Sequence, residues 1–241
     1  MNYLNFLILQ FIAHLLADFT FQSDESVKEK NENGFKNLTM FSHLIIVLLL
    51  SWFFSFQLNF FVASLVITFL HYLVDGLKTV LIKKDKLRKQ LFFIDQIFHV
   101  IIIIAVVTLF AKYYPFNPVL IFTINTKTVL VAASYLFCTK PTNIIIKEIL
   151  KAYKISLPSN ASDDNPSEIP NVGKLIGNIE RILALTLILN NKYEAVGFII
   201  AAKSILRFKD TENSKSEYVL VGSLLSFGIA ILIGVLIQLY K

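Results

Sequence analysis

With 241 residues, 55% of them hydrophobic and 17% charged, and a mean hydropathy of +0.64, the chain is too apolar for an ordinary soluble domain, which carries about 25% charged residues. Its formal charge of +6 sits beside apolar runs, as membrane proteins arrange it, and no nucleic-acid-binding motif accompanies it, so nucleic acid is not an expected partner. The single cysteine, Cys138, excludes an internal disulfide and, in an apolar run far in sequence from any histidine, reads as a packing residue.

The pattern predicts an all-α, polytopic transmembrane helical bundle of seven or eight spans. A bilayer core needs about 20 mainly apolar residues per helix. Runs of that kind lie at 3–21, 38–56, 59–82, 91–111, 127–150, 174–190, 193–208 and 217–239. The first has no basic leader and no small-residue cleavage site, so it is expected to remain as a helix. The fifth is interrupted by Lys127 and Pro141, and 116–124 before it reads as an interfacial piece. The sixth carries Glu180 and Arg181 and asks for burial among other helices or for partial insertion. The polar stretch 156–172, SLPSNASDDNPSEIPNV, reads as a loop. It divides the chain into an N-terminal membrane bundle, 1–155, and a C-terminal three-helix membrane region, 173–241.

Basic residues near the helix ends set the orientation. If 22–37, 83–90, 140–174 and 207–216 share one side, that side holds sixteen Lys and Arg, and the other holds four: Lys112, Lys127, Lys192 and Lys241. The basic side is expected to be the cytoplasm, with both termini on the opposite side.

Each of the first four spans carries one of the four histidines, His14, His43, His71 and His99, spaced 28 or 29 residues apart. Three of these spans add an aspartate at helical spacing: HLLAD places Asp18 after His14, HYLVD places Asp75 after His71, and DQIFH places Asp95 before His99. Residues four apart share a helix face. In the expected topology all seven side chains lie in the cytoplasmic half of the bilayer. An ionisable group inside a membrane costs about 2.5–3.5 kcal/mol on insertion scales, so these groups are expected to pair with one another, with water or with a cation. Imidazole and carboxylate together suit Zn, Mn, Fe, Ni or Co. Helical bundles build metal sites from such pairs. The set suffices for one ion with aspartates orienting the histidines, or for two ions about 3.5–4 Å apart. A metal-free proton relay and a structural polar network are the alternatives. Gln22 and Lys78 extend the same faces. Lys78 reads as an anion-holding group or as a lysine snorkelling to the interface.

The last three spans hold a second polar set. Glu180, Arg181, Lys203, Arg207 and Glu217 read as a charge network joining helices. Lys203 and Arg207 also read as a site for a phosphate or carboxylate. Gly173 and Gly177 form a small-xxx-small pair of the kind that permits close helix contact.

The segments HLLADFTFQ, HYLVDGLK, DQIFH, IGNIERILALTLIL, AAKSILRF and EYVLVGSLLS, in this order, resemble an uncharacterised bacterial integral-membrane family, domain of unknown function 3307. The resemblance covers nearly the whole chain. It implies a polytopic inner-membrane protein and, from operons of some relatives, a soluble cytosolic partner of the SatD type. The His/Asp pattern is also similar to that of membrane-embedded metal-dependent hydrolases. The expected function is therefore metal-dependent hydrolysis of a lipid or lipid-linked anionic substrate. Asp18, Asp75 and Asp95 are the candidate catalytic carboxylates, and Lys78, Lys203 and Arg207 would hold the anion. Water is the expected nucleophile, because no Ser or Cys stands beside a plausible base. The alternatives are a divalent-metal or small-solute transporter and a non-enzymatic membrane sensor working with a soluble partner docked on 83–90 or 151–172. Membrane lipid and further copies of the chain are the other expected partners.

Overall fold

A computed structural model describes residues 2–33, 38–82, 90–116, 118–119, 125–153, 155, 172–207 and 213–240. No strand occurs among the described residues. The helices are α1 (Tyr3–Leu15), α2 (Asp24–Asn33), α3 (Leu38–Ser55), α4 (Phe61–Ile82), α5 (Leu91–Tyr113), α6 (Thr126–Phe137), α7 (Lys140–Ala152), α8 (Val172–Leu189), α9 (Tyr193–Arg207) and α10 (Asn213–Leu239). The Asn2 side chain caps α1, accepting the Asn5 N–H at 2.7 Å. At its other end α1 widens into a π-helical turn, Leu16–Thr20, where the Phe21 N–H donates to the Leu16 carbonyl at 2.8 Å.

Five segments are long and apolar enough to cross a membrane: Tyr3–Thr20, Leu38–Ser55, Leu58–Ile82, Leu91–Tyr113 and Leu220–Leu239. A sixth results if α6 and α7, bent by 50° at their junction, count as one broken span. The eight spans expected from the sequence exceed this number, for two physical reasons. α8 carries Lys174, Glu180 and Arg181 within its 18 residues. α9 has 15 residues, about 22 Å of helix against a hydrocarbon core of about 30 Å. The basic stretch 83–89 and the polar stretch 156–171 lie outside the described residues.

The chain forms two compact units, Met1–Ala133 and Ser134–Lys241, so the division falls inside α6 and α7 belongs with the C-terminal helices. In the first unit α1 packs on α3 and α5, and α4 packs on the same two helices. Their exposed faces are apolar, with Ile45, Phe53, Val62, Phe69, Ile97 and Ile101 more than half exposed, while Gln10, Ser51, Ser64 and the histidines are buried. This distribution inverts that of a water-soluble protein. At the end where α1 begins, the interior is an aromatic cluster. Phe60 meets Phe6 and Phe110 edge to face, each at 4.9 Å between ring centres. One or two turns further in, Ser51 Oγ donates to Gln10 Oε1 at 2.7 Å and Gln10 Nε2 donates to the Ser51 carbonyl at 2.9 Å, tying α1 to α3.

In the second unit α8 and α10 pack closely along one another, with α7 and α9 against them. Asn191 ends α8 in the left-handed region at φ 58°, and the next N–H, of Lys192, returns to the Leu187 carbonyl at 2.8 Å. The close approach of the two long helices is made by Gly234, where an added Cβ would stand 2.6 Å from Ile188 Cγ2. Gly173 and Gly177 do not play the part expected of them. Gly173 faces open space, and Gly177 lies beside the Arg181 guanidinium and the Asn143 side chain.

Replacing Gly234 by Leu is expected to destabilise the second unit by about 1–3 kcal/mol through overpacking. Gly228→Ala, at a site open to 4 Å within α10, is expected not to destabilise and to raise stability by up to about 1 kcal/mol, as thermal unfolding in detergent measures.

Candidate metal centre

The first unit brings the seven His and Asp residues of the sequence pattern together. His14 comes from α1 and Asp18 from the π-helical turn that follows it. His43 comes from α3, His71 and Asp75 from α4, and Asp95 and His99 from α5. All four histidines, Asp75 and Asp95 are buried, and the Asp18 side chain is 7% exposed. Three overlapping sets place one donor atom per residue within 4.8 Å of the others: His14, Asp18 and His71; His43, His71 and Asp75; and Asp75, Asp95 and His99. The π-turn adds a residue to the helical repeat just where Asp18 must face inward, a device frequent at functional sites.

The spacing of these atoms decides between a hydrogen-bond network and a ligand set. Asp18 Oδ1 lies 3.6 Å from each of His14 Nδ1, His43 Nε2 and His71 Nε2. His99 Nε2 lies 3.5 Å from both Asp75 Oδ1 and Asp95 Oδ1. All of these exceed the usual 2.7–3.2 Å range for hydrogen bonds from nitrogen. Asp18 Oδ1, Asp95 Oδ1 and both ring nitrogens of His99 have no hydrogen-bond partner among the described residues, although buried polar groups are nearly always paired. Bonds of about 2.0–2.1 Å to a tetrahedral ion place its ligand atoms about 3.4 Å apart. The residues present therefore fit a divalent transition metal in donor chemistry, in burial and in spacing. The direct hydrogen bond in the set joins His43 Nε2 and His71 Nε2 at 3.0 Å, and the His71 and His99 rings stack at 3.9 Å.

Two lysines enter the same cluster. Lys78 donates to Asp95 Oδ2 at 2.8 Å, so its ammonium turns to the centre instead of snorkelling. Lys30, from α2, donates to Asp75 Oδ2. Three carboxylates thus face two ammonium groups, and with neutral imidazoles one negative charge is left for a proton or a cation. Gln96 braces the cluster. Its Oε1 lies 3.3 Å from His14 Nε2, and its Nε2 donates to Asp18 at 3.3 Å and to Asp95 at 3.2 Å. The sequence reading missed Lys30, which it counted only among the charges flanking spans, and Gln96, although DQIFH contains it. Next to His14, His71 and His99 lies a cavity of about 20 Å³, lined also by Gln10 and Ser51, with room for about one water.

The C-terminal residues are placed differently. Lys203 pairs with Glu180 and lies 5.6 Å from the Phe227 ring centre, so its ammonium is engaged within the unit. Arg181 does not join an ionic network. Its fully buried guanidinium donates to neutral acceptors: the Cys138 carbonyl at 2.6 Å, Ser226 Oγ at 2.8 Å, Asn143 Oδ1 at 2.5 Å, Asn178 Oδ1 at 2.7 Å and the Thr139 carbonyl at 3.4 Å. Two of these are carbonyls at the bend between α6 and α7, where Thr139 also accepts the Asn143 N–H at 3.3 Å, and a cation is favoured beside the C-terminal end of α6. The side chains of Arg207 and Glu217 lie outside the described residues.

Fold and cluster together define a class: an all-helical protein with several apolar helices of membrane-spanning length and a buried His/Asp cluster among the first of them. More particularly, the family model for DUF3307, protein of unknown function, matches residues 6–133, and the chain belongs to that family. The match contains all seven cluster residues and ends where the first compact unit ends. No curated protein and no solved structure matches the chain.

Arg181→Leu is expected to cost at least about 2 kcal/mol by stranding these acceptors. Arg181→Lys should recover only part of that, because a point charge cannot replace a planar fork. Thermal unfolding of the purified variants in detergent measures both.

Proposed function

We propose that the protein is a multi-pass protein of the bacterial inner membrane whose first four long helices hold one or two divalent transition-metal ions. We assign to this centre the hydrolysis of a lipid or lipid-linked anionic substrate reached from the cytoplasmic side. The observation that carries the reading is Asp18 Oδ1: a buried carboxylate oxygen with no hydrogen bond among the described residues, 3.6 Å from imidazole nitrogens of three different helices.

Between them the three overlapping sets, His14, Asp18 and His71, His43, His71 and Asp75, and Asp75, Asp95 and His99, would hold one ion or two. When bound, such an ion supplies Lewis acidity and lowers the pKa of a coordinated water toward about 7. The chain's own groups do the rest. Gln96 fixes the ring of His14 and the carboxylate of Asp18 in one orientation. Asp75 and Asp95, held by lysines, are the carboxylates placed to accept a proton. Lys78, whose side chain is 21% exposed, is the cation that an anionic group can reach. The small cavity beside His14, His71 and His99 admits a water and no head group, so substrate approaches from the other side of the cluster.

The orientation follows from the charge asymmetry and from parity. Four spans, one broken span of α6 and α7, and α10 make an even number, which supports both termini on one side, and the basic loops support that side being outside the cytoplasm. The antiparallel pair α8 and α9 returns to its starting side whether it crosses fully or enters as a short hairpin, so six and eight spans give the same result. A second reading, transport of a divalent metal, draws on Gln10, Ser51 and Ser64. These buried polar side chains continue inward from the cluster toward the aromatic plug, a path not evident in the sequence.

Purified wild-type protein is expected to carry close to one or two equivalents of metal, and the His71→Ala/Asp75→Ala variant at least about tenfold less affinity. Equal, negligible metal in both would reject the centre. With metal bound, head-group or phosphate release from a lipid panel supports hydrolysis, and uptake into proteoliposomes without release supports transport. A periplasm-active reporter fused after Lys241 is expected to be active, and a silent one would reverse the topology.

A further inference from the structure

Helix α2 lies outside the candidate spans and is polar along its length. Its described residues are exposed or half-buried with one exception, Lys30, which is 6% exposed. Lysine is among the residues least often buried without a partner. Here the partner is Asp75 Oδ2, and that same oxygen lies 3.7 Å from His71 Nε2 and 3.9 Å from His43 Nε2. His43, His71 and Asp75 are one of the three sets whose donor atoms gather within 4.8 Å. The ammonium of Lys30 therefore stands on an acceptor that a cation in this set would use.

The two lysines of the cluster differ in how they are held. Lys78 belongs to the long helix α4, which also supplies His71 and Asp75, and cannot leave without moving them. Lys30 rides on a ten-residue polar helix that packs on α3 and α4. It can withdraw while those helices stay packed. Charge counting gives the withdrawal a purpose. With Lys30 in place, Asp18, Asp75 and Asp95 face two ammonium groups and retain one negative charge. With Lys30 withdrawn they face Lys78 alone and retain two. That is the charge of one divalent cation held by neutral imidazoles, the form in which histidine ligates.

We infer that Lys30 is a tethered occupant of the cation position at Asp75, and that a divalent cation binding to His43, His71 and Asp75 displaces it and undocks α2. This rests on the metal-centre reading and adds to it a binding determinant and a moving part. Undocking uncovers the part of α3 and α4 that α2 packs against and frees an ammonium beside the centre. By linkage, α2 docking weakens cation binding by the same factor by which the cation weakens docking.

The experiment uses the full chain in detergent, with Zn²⁺ titrated against a chelator and backbone hydrogen exchange followed over residues 24–33. In the wild type, Zn²⁺ is expected to speed exchange in α2 several-fold. In Lys30→Met, α2 is expected to exchange rapidly with or without Zn²⁺, and Zn²⁺ to bind about tenfold more tightly, within the usual range of such coupling. If Zn²⁺ binds the wild type and α2 exchange is unchanged or slowed, or if Lys30→Met binds no more tightly, the displacement is overturned and the metal centre stands. If Zn²⁺ binds to neither protein, the metal centre itself fails and this inference with it. The wild-type arm does not depend on the folding of any variant.

Discussion

Three carboxylates closed inside apolar helices are the constraint that the rest of the first unit answers. Charges in a low-dielectric interior cost several kcal/mol each unless paired. Asp95 is paired by Lys78 and Asp75 by Lys30. Among the described residues Asp18 is met by imidazole nitrogens at 3.6 Å and by the Gln96 amide. The helices are placed by this requirement as much as by apolar packing. The cluster lies about two turns from the Gln10–Ser51 clasp, and the aromatic plug of Phe6, Phe60 and Phe110 lies further on. Polarity thus falls along the interior from one end to the other, while the exposed faces stay apolar throughout.

The second unit solves a related problem by neutral means. The bend between α6 and α7 turns the Cys138 and Thr139 carbonyls toward α8, and Arg181 supplies donors to both. A guanidinium surrounded by amides, a hydroxyl and carbonyls, with no carboxylate in contact among the described residues, disperses its charge over many short hydrogen bonds. Glu180, its neighbour in sequence, turns to Lys203 instead. The two adjacent charges therefore serve different helices. This explains how α8 tolerates both within an otherwise apolar run.

How far the sequence carried these conclusions depends on the range of the interaction involved. The four histidines and their aspartates were visible because helical spacing is local, and HxxxD repeated on three spans is a pattern within each helix. Asp18 was placed on the right face but in the wrong geometry, since LADFT carries no mark of a π-turn. Lys30 was invisible as a site residue. Its role arises from the fold-back of a short polar helix, and nothing in DESVKEKNEN singles out one lysine from its neighbour. Gly234 went unread and Arg181 was assigned to a charge network for the same reason. GxxxG at Gly173 and Gly177 is a stronger local signal than an isolated glycine in α10, and the partners of Arg181 are backbone carbonyls and neutral side chains that no sequence pattern displays. The sequence count exceeds the five or six long apolar helices where charge and length conflict, in α8 and α9.

The central claim is that the spacing of these imidazoles and carboxylates is the spacing of ligands. X-ray absorption on the zinc-loaded full-length protein addresses it most directly. The account predicts a shell of nitrogen and oxygen at about 2.0–2.1 Å, with the outer-shell scattering of at least two imidazoles, lost together in His43→Ala/His71→Ala. A zinc shell of oxygen alone, without imidazole scattering and unchanged in that variant, would contradict it.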